Sequence, residues 1–204
     1  MVDVSHRSNL LKTGKYIVVT LNKIYTRTGD SGQTGIGDGS RVSKLDLRII
    51  AGGSVDETNS LLGVACVHLD QPTRERLEKI QQRMFDLGAD ITCPWDPSAA
   101  DDRCPRICER HVTGLEAEID RVNGQLSALK SFILPGGTAA AAALHVARSV
   151  CRRAELDVLR LQQEHAVNPQ IMVFLNRLSD LLFVLARNAN DGGTNDVLWQ
   201  PDSE

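Results

Sequence analysis

Two stretches of the chain carry residue types suited to chemistry. The first, TRTGDSGQT at residues 26–34, combines threonine hydroxyls, glycines, an arginine and an aspartate, with no apolar side chain to anchor it in a core. Its glycines let the backbone turn and approach a ligand, its hydroxyls and backbone N–H groups suit phosphate oxygens, and Arg27 supplies charge. The second is a stripe of His145, Arg148, Arg152 and Glu155, which on a helix fall within roughly 80° of one another. Ala147, Val150, Ala154, Val158 and Leu161 take the opposite face. A solvated surface favours lysine and glutamate, whereas arginine suits bidentate recognition of carboxylate and phosphate. Asn176 and Asp180 interrupt a second apolar run, Ile171 to Ala186, with Phe183 close to the same face. Polar groups embedded in such a helix need partners, so the two stretches suggest a polar cleft or a subunit interface, with a solvated face as the alternative.

The loop fits neither common phosphate motif. Residues 32–39 read GQTGIGDG and lack the Gly-Lys-Ser/Thr ending of a Walker A loop; Gly35-Ile36-Gly37 has Ser40 where a dinucleotide fingerprint needs its last glycine. A phosphate cradle and a flexible tether both remain open from composition, with Arg41 and Lys44 just downstream tilting towards the cradle. Cys93, Cys104, Cys108 and His111 lack the paired CxxC knuckles of common zinc modules and read as loop thiols. No Glu-x-x-His occurs, which removes the di-iron chemistry of ferritin-like bundles.

The elements that must position these groups are helical. A chain of 204 residues with 42% apolar and 24% charged residues suffices for one domain with its own core. Its net charge of −3 argues against general nucleic-acid binding, and no apolar run approaches the length of a membrane span. The first twenty residues make a poor secretory signal, and five cysteines suggest reduced thiols in a cytosol. Helical spacing predicts a helix within 44–69, with Gly52-Gly53 as its weak point, and a second from Pro72-Thr73 to before Pro94. Residues 93–109 read as a surface loop; Thr113 and Glu116 form a capping-box pattern that predicts a third helix there. A long Ala-rich helix follows at about 138–164, and Asn168-Pro169 opens a fifth that runs to about 189. Only the apolar stretch at 16–25 suggests a strand, so the expected fold is all-α: a five-helix bundle, ferritin-like in outline, with an N-terminal glycine/threonine-rich ligand-binding loop.

Several blocks occur together and in order: IYTRTGDSGQT at 24–34, Lys44, VDETNSLLG at 55–63, IQQRMFDLGADI at 80–91, FILPGG at 132–137, LHVARSVCRRAE at 144–155 and FLNRLSDLLFVLAR at 174–187. With them the chain resembles the PduO-type ATP:cob(I)alamin adenosyltransferases from about residue 24 to 199. The resemblance implies a single helical-bundle domain at 24–199, an extension at 1–23 whose order is undetermined, and a tail at 200–204. It implies a cytoplasmic homotrimer with ATP and the corrinoid bound where subunits meet, and transfer of the 5′-deoxyadenosyl group of ATP to cobalt, forming adenosylcobalamin and releasing triphosphate.

Position by position, it implies that Thr26, Arg27, Thr28, Gly29, Asp30, Gly32, Thr34 and Gly35 wrap the triphosphate with Lys44. Arg152, Arg153, Glu155 and Asn176 complete the nucleotide site, Glu155 helping to place Mg²⁺ or the nucleoside; Asp56 and Arg148 bridge adjacent subunits; Phe132 presses on the lower face of the corrinoid and displaces its axial ligand. A corrinoid reductase or flavoprotein would supply electrons, and an adenosylcobalamin-dependent enzyme could receive the product; neither nucleic acid nor membrane is an expected partner. Whether Trp199 closes the corrinoid pocket is open at this level. The rival functions are a non-catalytic ATP-binding regulator or adenosylcobalamin carrier on the same trimer, and a helical interaction module whose polar faces only pack.

Overall fold

The computed structural model describes residues 25–37, 39–98 and 104–202. The apolar stretch expected as a strand therefore lies, save for Tyr25, outside the described residues, as does the extension at 1–23. Five helices make up the body: α1 (Leu47–Cys66), α2 (Gln71–Thr92), α3 (Glu109–Asn123), α4 (Ala139–Glu164) and α5 (Pro169–Ala189). Four start where a side-chain oxygen satisfies an orphan backbone N–H. Asp46 accepts from Arg48, Asp70 from Thr73, Thr138 from Ala141 and Asn168 from Gln170. Proline early in α2 and α5 has no N–H to leave unpaired.

One expectation is met and two need correction. As expected, α1 is one continuous helix, and its other residues and tertiary packing carry it across the weak point at Gly52 and Gly53. The third helix begins one turn early, at Glu109, where the N–H of Cys108 donates to His111 Nδ1 at 3.3 Å, so Thr113 sits inside the helix rather than capping it. The glycine-rich segment also contains a small antiparallel hairpin, β1 (Gln33–Gly35) with β2 (Arg41–Ser43), in which Thr34 faces Val42. Three-residue strands have too little alternation to read in a sequence.

The helices pack in the spatial series α2, α1, α4, α5, α3. Leu62, Leu87, Leu144, Leu161, Leu178 and Leu182 are fully buried along the centre, with Phe174 and Met84 nearly so. Ala51, Ala147 and Ala154 are fully buried too, and small residues at these positions let helix axes approach closely. By length and composition α5 could cross a membrane, but 56% of its most apolar stretch is buried in the bundle, where that apolarity forms the core.

The cysteines also depart from expectation. Cys93 and Cys104 form a disulfide that closes the loop after α2, while Cys66, Cys108 and Cys151 are free. Cysteine spacing does not encode pairing; proximity in the folded loop does. The base of that loop is held separately: Asp90, 2% exposed, accepts from Arg106 Nη1 at 2.6 Å, from the N–H of Ile107 at 2.8 Å and from Asn168 Nδ2 at 2.7 Å.

Candidate functional site

The loop at 26–35 has a defined shape. Its backbone turns through the bonds Asp30 N–H to Arg27 C=O and Gly32 N–H to Gly29 C=O, and the N–H of Lys44 donates to Gly32 C=O at 2.8 Å. Gly32 sits at φ +81°, where glycine pays no steric cost. Arg27 sits at φ +60° without that exemption, a strained setting of the kind that clusters at binding loops. Its guanidinium lies 5.5 Å from the centre of the Tyr25 ring. The Lys44 ammonium hangs over the turn, since a β-carbon at Gly29 would lie only 3.1 Å from its Nζ. Thr26 and Thr28 share a hydroxyl hydrogen bond of 2.9 Å, and Thr34 and Gly35 continue into β1.

Arg41 is the residue whose role the sequence hides. Its Nη2 donates to the carbonyls of Thr28 at 2.7 Å and Gln33 at 3.2 Å, tying the loop to β2 from behind. An arginine in a polar stretch reads as a ligand group, and only its position reveals a brace. The loop is thus largely exposed, rich in hydroxyls and backbone N–H groups, and carries two cations, Arg27 and Lys44, a composition and shape suited to a polyanion.

The stripe on α4 divides by depth. His145 is 3% exposed, packs edge-on against Phe183 at 6.2 Å, and has no hydrogen-bond partner on either ring nitrogen among the described residues. Burial, then the neighbouring Arg148 cation, holds its pKa below the usual histidine value. Arg148 is half-buried with no partner for its Nε among the described residues, and burial followed by Arg152 lowers its pKa. Arg152 is exposed and has no side-chain partner among the described residues. Arg153 pairs with Glu57 of α1. Glu155 accepts from Asn176 Nδ2 at 3.1 Å, Asn176 Oδ1 accepts from Arg177 at 2.5 Å, and Arg177 reaches Glu116 of α3 at 2.9 Å. Four polar side chains thus connect three helices, and the bond uses only Oε1 of Glu155. Asp180, on the same helix as Asn176, is exposed. His68 is exposed, and His165 Nδ1 lies 3.0 Å from Arg48 Nη2.

Phe132 stands elsewhere, 80% exposed on the segment before α4. That segment pairs with the chain's last described stretch: Leu134 N–H donates to Val197 C=O at 2.8 Å, and Trp199 N–H to Phe132 C=O at 2.7 Å. The Trp199 ring meets Phe132 edge-on at 6.4 Å. A buried polar cluster holds both strands in place. Arg187 Nε donates to Asp196 Oδ2 at 2.9 Å with the side chains 4% and 2% exposed, and Arg187 Nη2 donates to Ser127 C=O. Asn190 Oδ1 accepts from the N–H of Thr138, while its Nδ2 donates to Gly136 C=O and Asp196. The sequence marks this cluster only by an arginine in the last turn of an apolar helix, which ordinarily reads as a solvated group at a helix C-terminus.

The structure brings some expected residues together and keeps others apart. Arg48 beside His165, Ser54 beside Asp157 and Glu57 beside Arg153 run α1 antiparallel to α4. The loop before α1 therefore lies at the C-terminal end of α4, and Phe132 at its N-terminal end, with the arginines between. At 1.5 Å per residue the 26 residues of α4 span about 39 Å. Asp56 is exposed on α1 and has no partner among the described residues, and it does not meet Arg148 within the chain. Ile50 and Val64 on α1, Val67 at its C-cap, and Val146, Leu156 and Leu159 on α4 are exposed apolar residues.

Comparison with known proteins places the chain in a family. The cobalamin adenosyltransferase family model matches residues 24–189. The corrinoid adenosyltransferase of Mycobacterium leprae is 47% identical over 191 residues, covering 91% of this chain and 99% of that protein. The cobalamin adenosyltransferase of Cupriavidus metallidurans is 46% identical over 187 residues, covering 90% and 97%. Among solved structures, a variant PduO-type ATP:corrinoid adenosyltransferase from Lactobacillus reuteri, complexed with cobalamin and ATP, superposes with a TM-score of 0.80 at 40% identity, covering 87% of this chain and 97% of that one. With a family model matching residues 24–189, relatives that align over almost its whole length and a superposable helical fold, this chain belongs to the cobalamin adenosyltransferase family.

Proposed function

We infer that this chain transfers the 5′-deoxyadenosyl group of ATP to the cobalt of cob(I)alamin: it is an ATP:corrinoid adenosyltransferase, and the domain at 24–199 carries the activity. The observation that supports this best is the braced, exposed loop at 26–35, which carries Arg27 and lies under Lys44, in a chain of this family. In the reaction the Co(I) nucleophile attacks C5′, a cobalt–carbon bond forms, the C5′–O bond breaks, and triphosphate leaves with the electron pair of that bond. No protein base is needed. The chain's work is to position ATP and to stabilise charge on the departing polyanion through the loop, Lys44 and Arg152.

Among the described residues no group of three or more metal-ligating side chains gathers in one place. Magnesium nevertheless fits, because it is commonly held by one or two carboxylates together with substrate phosphates, and Glu155 keeps an uncommitted oxygen. Glu155 would hold it, and the ion would neutralise phosphate charge. Phe132, exposed and apolar on a segment fixed by the Arg187–Asp196–Asn190 cluster, suits the lower face of a corrinoid. Excluding an axial ligand there leaves cobalt with fewer donors and eases its reduction.

The active site is shared between copies of the chain in a cytoplasmic homotrimer. Three observations favour this. Loop and Phe132 of one chain lie at opposite ends of α4, too far apart to grip one ATP–corrinoid pair; Asp56 and the Arg148 Nε each have no partner within the described chain; and the outer faces of α1 and α4 expose apolar side chains. A reductase or flavoprotein supplies the electron for Co(II), and an adenosylcobalamin-dependent enzyme consumes the product.

An anaerobic assay with chemically reduced cob(I)alamin, ATP and Mg²⁺ tests the reaction. Loss of the Co(I) absorption band with stoichiometric adenosylcobalamin and triphosphate is expected; binding of both substrates without transfer would leave a carrier or regulator instead. Sedimentation of Asp56→Ala and Arg148→Ala tests the sharing, with weaker assembly expected from each and unchanged trimer stability in both counting against the pairing.

A further inference from the structure

The spatial series α2, α1, α4, α5, α3 leaves its two outer members, α2 and α3, to close the bundle against each other, and they do so loosely. An ion pair from Arg76 to Glu118, 3.6 Å long, spans the seam. Beneath it opens a groove of about 370 Å³, within the range of small-molecule sites. Ile80 of α2, Leu115 of α3 and Phe174 of α5 line its apolar side. Lys79 and Arg83 stand on one wall and Arg110 on the other.

The charges do not cancel locally. Glu118 meets Arg76 and also Arg121, and Arg83 is taken by Asp86 at 2.5 Å. Lys79 and Arg110 have no side-chain partner among the described residues. Arg110 also belongs to the first turn of α3, where the helix dipole adds positive potential. At His111 burial first, then Arg110 and Arg83, hold the pKa below the usual value, with Asp86 opposing them. A basic groove with an apolar lining runs against the chain's overall charge of −3.

Gly114 adds a steric observation. It lies inside α3 and lines the groove; its φ is not positive, and a β-carbon there would meet nothing within 4 Å. Neither backbone strain nor packing calls for glycine at a position where it weakens the helix. What the missing side chain does is keep the groove open.

We propose that the α2–α3 seam binds a small organic anion, its aromatic or acyl body against Ile80, Leu115 and Phe174 and its phosphate or carboxylate between Lys79 and Arg110. Size favours a small molecule, and the exposed cations Lys79 and Arg110 favour an anion. The seam faces away from α4, so the ligand binds independently of ATP.

Calorimetric titration of the full-length, ATP-saturated protein with naphthyl phosphate, naphthoate and neutral naphthol tests the site. Either anion is expected to bind once per chain, the tighter of the two identifying the preferred head group, with naphthol far weaker. Lys79→Glu and Arg110→Glu should each weaken the anion about tenfold, the factor for one charge-assisted hydrogen bond. Gly114→Leu, which changes no charge and improves helix propensity, should abolish binding while leaving the circular dichroism spectrum unchanged. Absence of binding by both anions, equal affinity for naphthol, loss of the site on adding ATP, or unchanged affinity in Gly114→Leu would each overturn the proposal.

Discussion

Replacing Asp196 by alanine should cost far more than a change in a C-terminal segment ordinarily does. Asp196 accepts from Arg187 Nε at 2.9 Å and from Asn190 Nδ2 at 3.1 Å, and its side chain is 2% exposed. In Asp196→Ala the Arg187 guanidinium, itself 4% exposed, loses its counter-ion and keeps only the Ser127 carbonyl at 2.9 Å. A buried charge left without its partner costs about 3–5 kcal/mol. For a chain of this size that corresponds to a drop of about 10 °C in melting temperature. Urea unfolding at one fixed protein concentration measures it, because subunit association would otherwise shift the midpoint. The double variant Arg187→Met with Asp196→Leu, which removes both charges, should recover most of the loss. The chain has two tryptophans, so a Trp95→Phe background leaves Trp199 to report the strand beside Phe132, and its emission should move to longer wavelength in Asp196→Ala. A single-variant cost below about 1 kcal/mol, the range of an exposed pair, would refute the buried-cluster reasoning.

Three further outcomes are expected. Arg152→Ala should abolish ATP binding or turnover while assembly, followed by sedimentation, stays intact; an unchanged rate would remove Arg152 from the nucleotide site. Phe132→Ala should slow turnover from Co(II) much more than from pre-reduced Co(I), and equal losses would argue against ligand displacement. His145 is buried with its pKa lowered from 6.5, so the unfolded chain binds its proton more readily than the folded one. Its contribution to stability is complete above pH 6.5 and falls as pH drops from 6.5 through the lower folded value. His145→Phe should flatten the acid side of the stability profile, and an identical slope in both proteins would show that His145 does not titrate there.

The helices were legible because their signals are local. Asp70, Thr138 and Asn168 cap where a periodic apolar run begins, and proline follows two of them. The start of α3 was not, because a cysteine occupies its N-cap position and the more conventional Thr113 pattern one turn later competed with it. The loop's candidate ligand groups rest on residue type and on the family resemblance, but its brace was not legible: Arg41 in sequence is one more cation beside Lys44. The Cys93–Cys104 pairing and the Arg187–Asp196 contact join residues whose meeting depends on how loops return, which composition does not encode. Opposite placement of the loop and Phe132 along α4 emerges only from the antiparallel run of α1, and it turns a list of site residues into a reason for two copies to share them.

Arg27 at φ +60° bears on how this protein responds to stabilisation by design. A left-handed backbone costs a bulky residue on the order of 1–2 kcal/mol, and glycine or asparagine at that position would recover much of it. Any selection for heat resistance alone will therefore favour losing this arginine, with only its exposed contact to the Tyr25 ring to resist the change. The resulting protein would melt later and lack a cation at the edge of the loop proposed to hold phosphate. Thermal stability and turnover should thus trade against each other at one exposed residue, and screens that rank variants by melting temperature will select against the chemistry.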